Sequence, residues 1–280
     1  MPYSGQASAD RESRAYCHVV ARTRPQLVTL SRSGPRWFAA FNVRLSAPPK
    51  AEATRAQRRR GAVGMDLGVE VIAATTQPIL LQGAATQLVA NPRHLANARR
   101  ALAKWERRKA RRWVQGRPAR KQSRGWHEAR DHVAKLHALI AVRRADTQHH
   151  LTKALVTQFT HVVIEGLQVK NMAKSAKGTL EEPGSRVRQK TGLNRALLDV
   201  GSGEIRRQLA YKTPWYGSAL SAVNPAYTSQ TCHRCGHVDS KSRRTRSVFE
   251  YTACGTQVHA DIGAAHNILA RAQQTPAAPC

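Results

Sequence analysis

The sequence predicts an α/β fold, because short apolar segments typical of buried strands alternate with long segments of helical periodicity. Residues 62–76 predict two short strands joined by a turn, and a third strand is predicted around 79–90. Two long helices follow, the first from Pro92 and the second over 124–160. The apolar run 161–165 then predicts a return to a buried strand.

The segments around this core are predicted from turn residues and composition. Two alternating stretches within 25–46 flank the turn cluster Ser31–Pro35, a pattern typical of a β-hairpin. Beyond the core strand we expect a mobile polar loop, a helix, a strand and a last helix, at 171–191, 193–209, 219–223 and 261–273 respectively. The predicted organisation is 1–24 poorly ordered, 25–60 a hairpin and a basic linker (47–60), 61–228 an α/β core with a helical insertion at 92–160, 229–258 a cysteine-bearing module, 259–273 a last helix and 274–280 a tail.

The charge of the chain indicates its partner. Lys and Arg number 46 against 17 Asp and Glu, which gives a formal net charge of +29. A charge this far from zero is typical of a protein that binds a polyanion, so we predict a nucleic-acid partner. A surface that only aids solubility, or a ribosomal-type protein, is the alternative. We predict no membrane segment and no signal peptide, and therefore expect a cytoplasmic, nucleoid-associated protein.

The first long helix is the predicted nucleic-acid contact. Its arginines are interleaved with an aromatic residue, an arrangement that suits phosphate contacts and stacking on bases or sugars. A solvated helical face, with the tryptophans packed between helices, would give the same pattern. The candidate contacts are Arg99, Arg100, Arg107, Arg108, Arg111, Arg112 and Trp105.

Three carboxylates stand at the ends of predicted core elements. Asp66 and Glu165 each follow an apolar strand, and Asp261 begins the last helix. Burying a lone carboxylate is costly, and three together repel one another unless a cation lies between them. Mg²⁺ prefers such oxygen ligands, and two ions about 4 Å apart can support phosphodiester cleavage. Asp66 as a turn former and Asp261 as a helix cap are the alternatives, because spacing alone does not show that these residues meet.

Three motifs resemble those of the TnpB family, also called OrfB transposases. GMDLGVEVIAATT (64–76), HVVIEGLQVKNM (161–172) and HADIGAAHNILARA (259–272) are similar to the three RuvC motifs of that family, in the same order. The resemblance covers residues 25–273. It implies an RNase H-like (RuvC) nuclease core, a guide RNA that directs DNA cleavage, an association with transposition, and Asp66, Glu165 and Asp261 as catalytic ligands of two Mg²⁺ ions.

The chain departs from the family pattern at two points in these segments. Gly263 stands where the third motif usually has Asn. The part before the first motif is much shorter than in the family, so the hairpin at 25–46 resembles the end of a wedge domain, and we expect an N-terminally shortened protein. A non-cleaving accessory protein of transposition that binds nucleic acid, or a truncated inactive copy, are the alternatives to a nuclease.

A cysteine pair indicates a metal site. Cys232-x-x-Cys235 followed by Gly is a zinc-knuckle half-site, and an odd cysteine count argues against a disulfide framework. The family's zinc ribbon has a second such pair, but here Tyr251 stands at one ligand position and Cys254 at the other. We expect zinc bound by the three cysteines with His233, His237 or His259 as a possible fourth ligand, or else a weakened or lost site. Cys17 and Cys280 are expected as free thiols.

Overall fold

The structure is a computed structural model that describes residues 25–33, 36–44, 52–179, 181–239, 242, 245 and 247–274. The chain divides into two compact units. One comprises Met1–Pro48 and Leu95–Val142, and the other comprises Pro49–His94 and Arg143–Cys280. The expectations for 1–24, for the turn at Gly34 and Pro35, and for Cys17 and Cys280 lie outside the described residues.

The elements alternate between strands and helices, as the sequence predicts. The strands are β1 (Pro25–Ser33), β2 (Arg36–Val43), β3 (Ala62–Asp66), β4 (Val71–Leu81), β5 (Ala84–Ala90), β6 (His161–Glu165), β7 (Ala219–Val223), β8 (Val248–Glu250) and β9 (Gln257–His259). The helices are α1 (Arg55–Arg60), α2 (His94–Arg111), α3 (Arg124–Gln158), α4 (Val169–Met172), α5 (Val187–Val200), α6 (Ser202–Trp215) and α7 (Ala260–Gln274).

A five-stranded mixed sheet forms the centre of the second unit, with the strand order β5-β4-β3-β6-β7. β3, β6 and β7 run parallel, whereas β4 is antiparallel to both β3 and β5. Helices pack against this sheet, so the predicted α/β class is confirmed. The hairpin predicted within 25–46 is also present, as the antiparallel pair of β1 and β2.

The two faces of the sheet are covered by different helices. One face and the end of α3 share an apolar cluster with α5 and α6, and its buried members include Val63, Met65, Val162, Ile164, Leu155, Phe159, Val200, Ile205 and Leu209. Gly64 points to the other face, where α7 lies: a Cβ added to it would be 2.2 Å from the carbonyl oxygen of Ala265. Because side chains alternate along a strand, Asp66 projects to the same face as Gly64.

One helix was missed in the predicted basic linker. Arg55–Arg60 form α1, which begins with a capping box in which Thr54 and Gln57 bond to each other's backbone. The Gln57 side chain is buried, and its amide donates to the carbonyls of Val156 at 2.7 Å and Tyr216 at 2.8 Å. The prediction of a linker at 55–60 was therefore wrong. It relied on the basic composition of the segment and did not use the capping signal of Thr54 and Gln57.

The strand and helix limits also differ from the predicted ones in three places. The second core strand continues through Pro78 to Leu81, because Pro78 lies at an irregularity of the β4–β5 ladder where a missing N–H is tolerated. The third strand begins only at Ala84. The helix predicted over 193–209 is two helices, since Gly201 adopts a left-handed conformation (φ 67°) between α5 and α6. Within the predicted loop 171–191, α4 ends at Met172 and α5 starts at Val187.

In the first unit, α2 and the first part of α3 pack through apolar side chains. Leu102, Val133 and Ile140 are buried there. The Trp105 ring stacks on that of His132 with centroids 3.8 Å apart, and Trp126 is buried. Trp105 and Trp126 therefore pack within this unit, which is the alternative that the sequence left open for the tryptophans.

A buried lysine joins α6 to α3 in the second unit. The Lys212 ammonium donates to the Thr152 hydroxyl at 2.7 Å and to the His149 carbonyl at 3.2 Å. Burial lowers the pKa of Lys212 to about 8. The described part of the chain contains no helix long and apolar enough to cross a membrane.

Candidate active site and metal centre

Asp66 and Glu165 end two neighbouring parallel strands. The register of β3 and β6 pairs Met65 with Ile164, so Asp66 and Glu165 occupy the next position on each strand. Neighbouring strands lie about 4.8 Å apart, and residues in register on parallel strands project to the same face. Both carboxylates are partly buried. The structure thus brings these two predicted site residues to one edge of the sheet.

Asp261 is the second residue of the helix that covers this face. It lies in the first turn of α7, one turn before Ala265, whose carbonyl faces Gly64. Its backbone N–H donates to Nδ1 of His259 at 3.3 Å. Its carboxylate makes no hydrogen bond or ion pair with any residue that the structure describes. Asp261 therefore does not act as a side-chain cap of α7 in this structure.

Glu165 is held by a chain of hydrogen bonds that sequence analysis did not predict. The Thr228 hydroxyl contacts the Glu165 carboxylate, and the Thr228 carbonyl accepts a 2.8 Å bond from the buried Asn267 amide. Asn267 donates a second bond to the Thr231 carbonyl at 2.7 Å. Asn267 lies within the third motif, so its position carried a signal, whereas nothing in the sequence around Thr228 indicated a contact with Glu165.

Burial dominates the electrostatics of Glu165. It raises the pKa of this carboxyl, while the hydrogen bond from Thr228 and the positive charge of Arg271 lower it. The net direction is upward, so the protein's own groups do not fully stabilise the ionised form. A cation beside Glu165 would supply the missing stabilisation.

The three carboxylates offer the oxygen ligands that Mg²⁺ prefers. Their oxygens do not all lie within 4.8 Å of one another: among the described residues, the potential metal ligands that meet this limit are three cysteines. A single small ion held by all three carboxylates would require them to move closer. Two ions about 4 Å apart would distribute the ligands over a wider site than one ion does.

The cysteines form the second candidate metal centre. The Sγ atoms of Cys232, Cys235 and Cys254 lie within 4.8 Å of one another, and those of Cys232 and Cys254 are 3.6 Å apart. Hydrogen bonding with Thr256 lowers the pKa of Cys254 to about 7. Since a thiolate is the metal-binding form, this low pKa favours binding of a soft divalent ion such as zinc.

No fourth ligand joins the thiols among the residues that the structure describes. Tyr251 is buried, and its hydroxyl donates to the Thr231 carbonyl at 3.2 Å. His233 lies against Tyr251 and stacks on His266. His259 accepts the bond from Asp261, so its Nδ1 has a partner in α7.

The predicted nucleic-acid contacts lie on α2 and, for Arg112, directly after it, in the first unit. Two shallow depressions are lined by basic side chains: Lys104, Arg108, Arg111 and Arg112 at one, and Arg99, Arg100 and Arg107 at the other. Arg108 lies over the Trp105 ring and Arg112 donates to the Gly125 carbonyl, so both also serve packing. Arg99, Arg100 and Arg111 are exposed and have no hydrogen bond or ion pair within the described part of the chain.

Two family models match consecutive parts of the chain. Residues 41–176 match the OrfB_IS605 family, described as "Probable transposase". Residues 203–268 match the family described as "Cas12f1-like, TNB domain". The first match contains Asp66 and Glu165, and the second contains Asp261 and the three clustered cysteines.

Curated relatives match most of the chain. A protein of Escherichia coli K12 named "Putative RNA-guided DNA endonuclease InsQ" is 37% identical over 93% of this chain. Relatives named as RNA-guided DNA endonucleases from Streptomyces pristinaespiralis and Mycobacterium tuberculosis H37Rv are 34% and 30% identical over 88% and 99% of it. The chain spans about half the length of these relatives, 58%, 52% and 55% respectively.

Solved structures similar to the chain include a CRISPR-Cas12f ternary complex, with 17% identity and a TM-score of 0.45. That match covers 93% of this chain and 49% of the solved one. A Cas12f1–sgRNA–target DNA complex matches with 15% identity and a TM-score of 0.42, over 86% and 55% of the two chains.

Proposed function

Because the chain belongs to the TnpB/OrfB family, we propose that it is an RNA-guided, metal-dependent DNA endonuclease associated with transposition. The observation that carries the proposal is the placement of Asp66 and Glu165 at adjacent ends of parallel strands, on the face covered by the helix that carries Asp261 in its first turn. Two carboxylates at adjacent strand ends and a third on the covering helix are the oxygen ligands that divalent cations such as Mg²⁺ prefer.

The strand arrangement supports an RNase H-like core. Taken in chain order from β3, the five strands occupy the order 3-2-1-4-5, and only the second runs against the others. In this arrangement the first and fourth strands are central neighbours, and they carry Asp66 and Glu165 at their ends. The same core would include α7 with Asp261.

Asp66, Glu165 and Asp261 would hold two Mg²⁺ ions. Bound there, such ions supply positive charge for the scissile phosphate and an activated water. The protein's part is to position the ligands: Thr228 orients Glu165, and Asn267 fixes Thr228. Arg271 favours the ionised form of Glu165, the form that binds metal, and so offsets part of the rise in pKa that burial causes.

Nucleic acid would be held by the basic side of α2. Its exposed arginines Arg99, Arg100 and Arg111 have no hydrogen bond or ion pair with the described residues and would contact phosphates. Such contacts dominate affinity and make it depend on salt. A guide RNA would read the DNA target by base pairing, which leaves the protein to recognise backbone shape and a short flanking motif. The cysteine cluster would hold zinc and stabilise the module that precedes α7.

A non-cleaving nucleic-acid-binding role is the second candidate, and the exposed arginines of α2 would serve it equally well. Binding and cleavage are separated by comparing the purified chain with its Asp66→Asn/Asp261→Asn variant. Both are isolated with the RNA transcribed from the DNA flanking the gene, and both receive Mg²⁺ and plasmid DNA complementary to that RNA. The nuclease proposal expects the parent chain and the variant to bind the DNA equally well. It expects only the parent chain to cleave the DNA. Binding without cleavage by the parent chain would favour the second role.

A further inference from the structure

The two departures from the family motifs, Tyr251 and Gly263, lie next to each other, since a Cβ built on Gly263 would be 3.0 Å from the Tyr251 hydroxyl oxygen. We propose that Tyr251 replaces the fourth zinc ligand as a packing residue, that Gly263 makes room for its hydroxyl, and that zinc is held by three thiolates in an exchangeable site. The inference extends the zinc site proposed above. It does not depend on the nuclease activity.

The surroundings of Tyr251 are those of a packing residue. Its side chain is 3% exposed and shares an apolar cluster with Cys232, Phe249 and Ala260. The Phe249 ring lies 4.7 Å away, centroid to centroid. The Tyr251 hydroxyl donates to the Thr231 carbonyl at 3.2 Å. A hydroxyl that donates its proton to a backbone carbonyl is not arranged as a metal ligand, so Tyr251 contributes buried area and one hydrogen bond instead.

Gly263 accommodates this arrangement from the neighbouring helix. It is buried within α7, where glycine is unfavourable relative to alanine, so a local reason is required. A Cβ added to Gly263 would lie 3.0 Å from the Tyr251 hydroxyl oxygen and 3.2 Å from Cγ1 of Val258. The hydroxyl is held by its 3.2 Å bond to the Thr231 carbonyl, so moving aside for a Cβ would strain that bond. Any larger residue at 263 would meet the phenol.

The metal site therefore has three protein ligands. Cys232, Cys235 and Cys254 are the group whose ligand atoms lie within 4.8 Å of one another in the described part of the chain, and no histidine nitrogen joins them. Closed structural zinc sites use four protein ligands, whereas sites with three keep one position for water or another small ligand. Cys235 and Cys254 are also exposed. Zinc bound in this way is open to exchange, and the packing of Tyr251 stabilises the module in place of a fourth metal ligand.

Zinc affinity tests the ligand count. The purified full chain and its Tyr251→Cys and His233→Ala variants are titrated with zinc in competition with a chromophoric chelator. We expect one zinc per chain throughout, affinity at least about tenfold higher in Tyr251→Cys because it completes the four-ligand set, and no change in His233→Ala. Equal affinity of the parent chain and Tyr251→Cys would overturn the proposal. So would a tenfold loss in His233→Ala, which would identify His233 as the fourth ligand.

Thermal unfolding tests the contact between Tyr251 and Gly263 without metal, in excess chelator. Gly263→Ala is introduced into the parent chain and into Tyr251→Phe, which removes only the hydroxyl. We expect Gly263→Ala to lower Tm by roughly 2 °C or more in the parent chain, and by less, or not at all, in the Tyr251→Phe background. Gly192→Ala is the control, since a Cβ on that helical glycine meets nothing within 4 Å. Equal changes in both backgrounds would overturn the packing role.

The outcomes separate this inference from the proposed function. If neither the parent chain nor Tyr251→Cys binds zinc, the zinc site itself is overturned. If both bind it equally, the zinc site stands and the three-ligand account is overturned. Neither result alters the expectation for DNA cleavage, because that reaction is assigned to the carboxylates.

Discussion

The side-chain amide of Asn267 donates a 2.8 Å hydrogen bond to the backbone carbonyl of Thr228. The hydroxyl of the same threonine contacts the Glu165 carboxylate, so a residue of α7 fixes the orientation of an acid at the end of β6. In this way the helix that carries Asp261 in its first turn is coupled to the strand that ends with Glu165. The connection explains why the third motif would require an asparagine six residues after its aspartate.

Replacing Thr228 tests this connection. We expect Thr228→Val to lower metal affinity and DNA cleavage by about 10- to 100-fold, the usual effect of losing a partner that orients a metal ligand. Thr228→Ser keeps the hydroxyl and should stay near the parent chain. Metal titration and single-turnover cleavage measure the two effects. Full activity in Thr228→Val would show that Glu165 does not need this bond.

The close approach of α7 to β3 depends on Gly64. A Cβ there would lie 2.2 Å from the Ala265 carbonyl oxygen and 2.8 Å from Cβ of Leu269, so backbone must shift. We expect Gly64→Ala to lower the free energy of unfolding by about 1–3 kcal/mol or more, as overpacking does. Urea denaturation measures this change. Gly192→Ala is the matched control, because its Cβ would meet open space. Similar stability of the two variants would contradict the packing described for α7.

The buried Lys212 predicts a pH dependence of stability. Its pKa is about 8 in the folded chain, against 10.5 for an ordinary lysine. Between these values the unfolded chain binds more protons, so this lysine makes stability rise as pH rises from about 8 towards 10.5. The gain between pH 7 and pH 9.5 is at most roughly 2 kcal/mol.

Comparison with Lys212→Met isolates that contribution. We expect the variant to lose the rise while keeping the pH dependence of all other groups, and the exposed Lys174→Met to behave as the parent chain. Urea denaturation at several pH values gives the difference. A parallel pH dependence of Lys212→Met and the parent chain would mean that Lys212 titrates normally.

The exposed arginines of α2 predict a salt effect. We expect Arg99→Gln/Arg100→Gln to weaken nucleic-acid binding at low salt, and to reduce the slope of log K against log salt by about 1 per lost phosphate contact. Filter binding over a range of salt concentrations measures both. Arg206→Gln, an exposed arginine of α6, is the control. An unchanged slope in the double variant would remove α2 from the binding surface.

The sequence predicted the core strands because each is a short apolar run, and it predicted Asp66 and Glu165 at their ends. Periodicity could not show that β3 and β6 are neighbours, since Ala62 and His161 lie far apart along the chain and only sheet pairing joins them. The helix at Arg55–Arg60 was missed because its apolar content is low, although Thr54 and Gln57 carry a capping signal.

Other features needed three-dimensional contacts. The third RuvC-like motif predicted a helix, but not that Asn267 bonds to Thr228 across 39 residues. The sequence marked Tyr251 and Gly263 as separate departures from the family. Only the structure places the Tyr251 hydroxyl beside Gly263. Lys212 has no local signal, because its burial depends on α3 packing against α6.

Metal binding by the carboxylates tests the central claim most directly. The purified chain, treated with zinc beforehand, is titrated with Mn²⁺ by calorimetry alongside Asp66→Asn, Glu165→Gln and Asp261→Asn. We predict about two ions per parent chain and an affinity at least about tenfold lower in each variant, since each removes an ionised oxygen ligand. Mn²⁺ binding of equal affinity and stoichiometry in the parent chain and all three variants would contradict the assignment of these acids as the catalytic metal site.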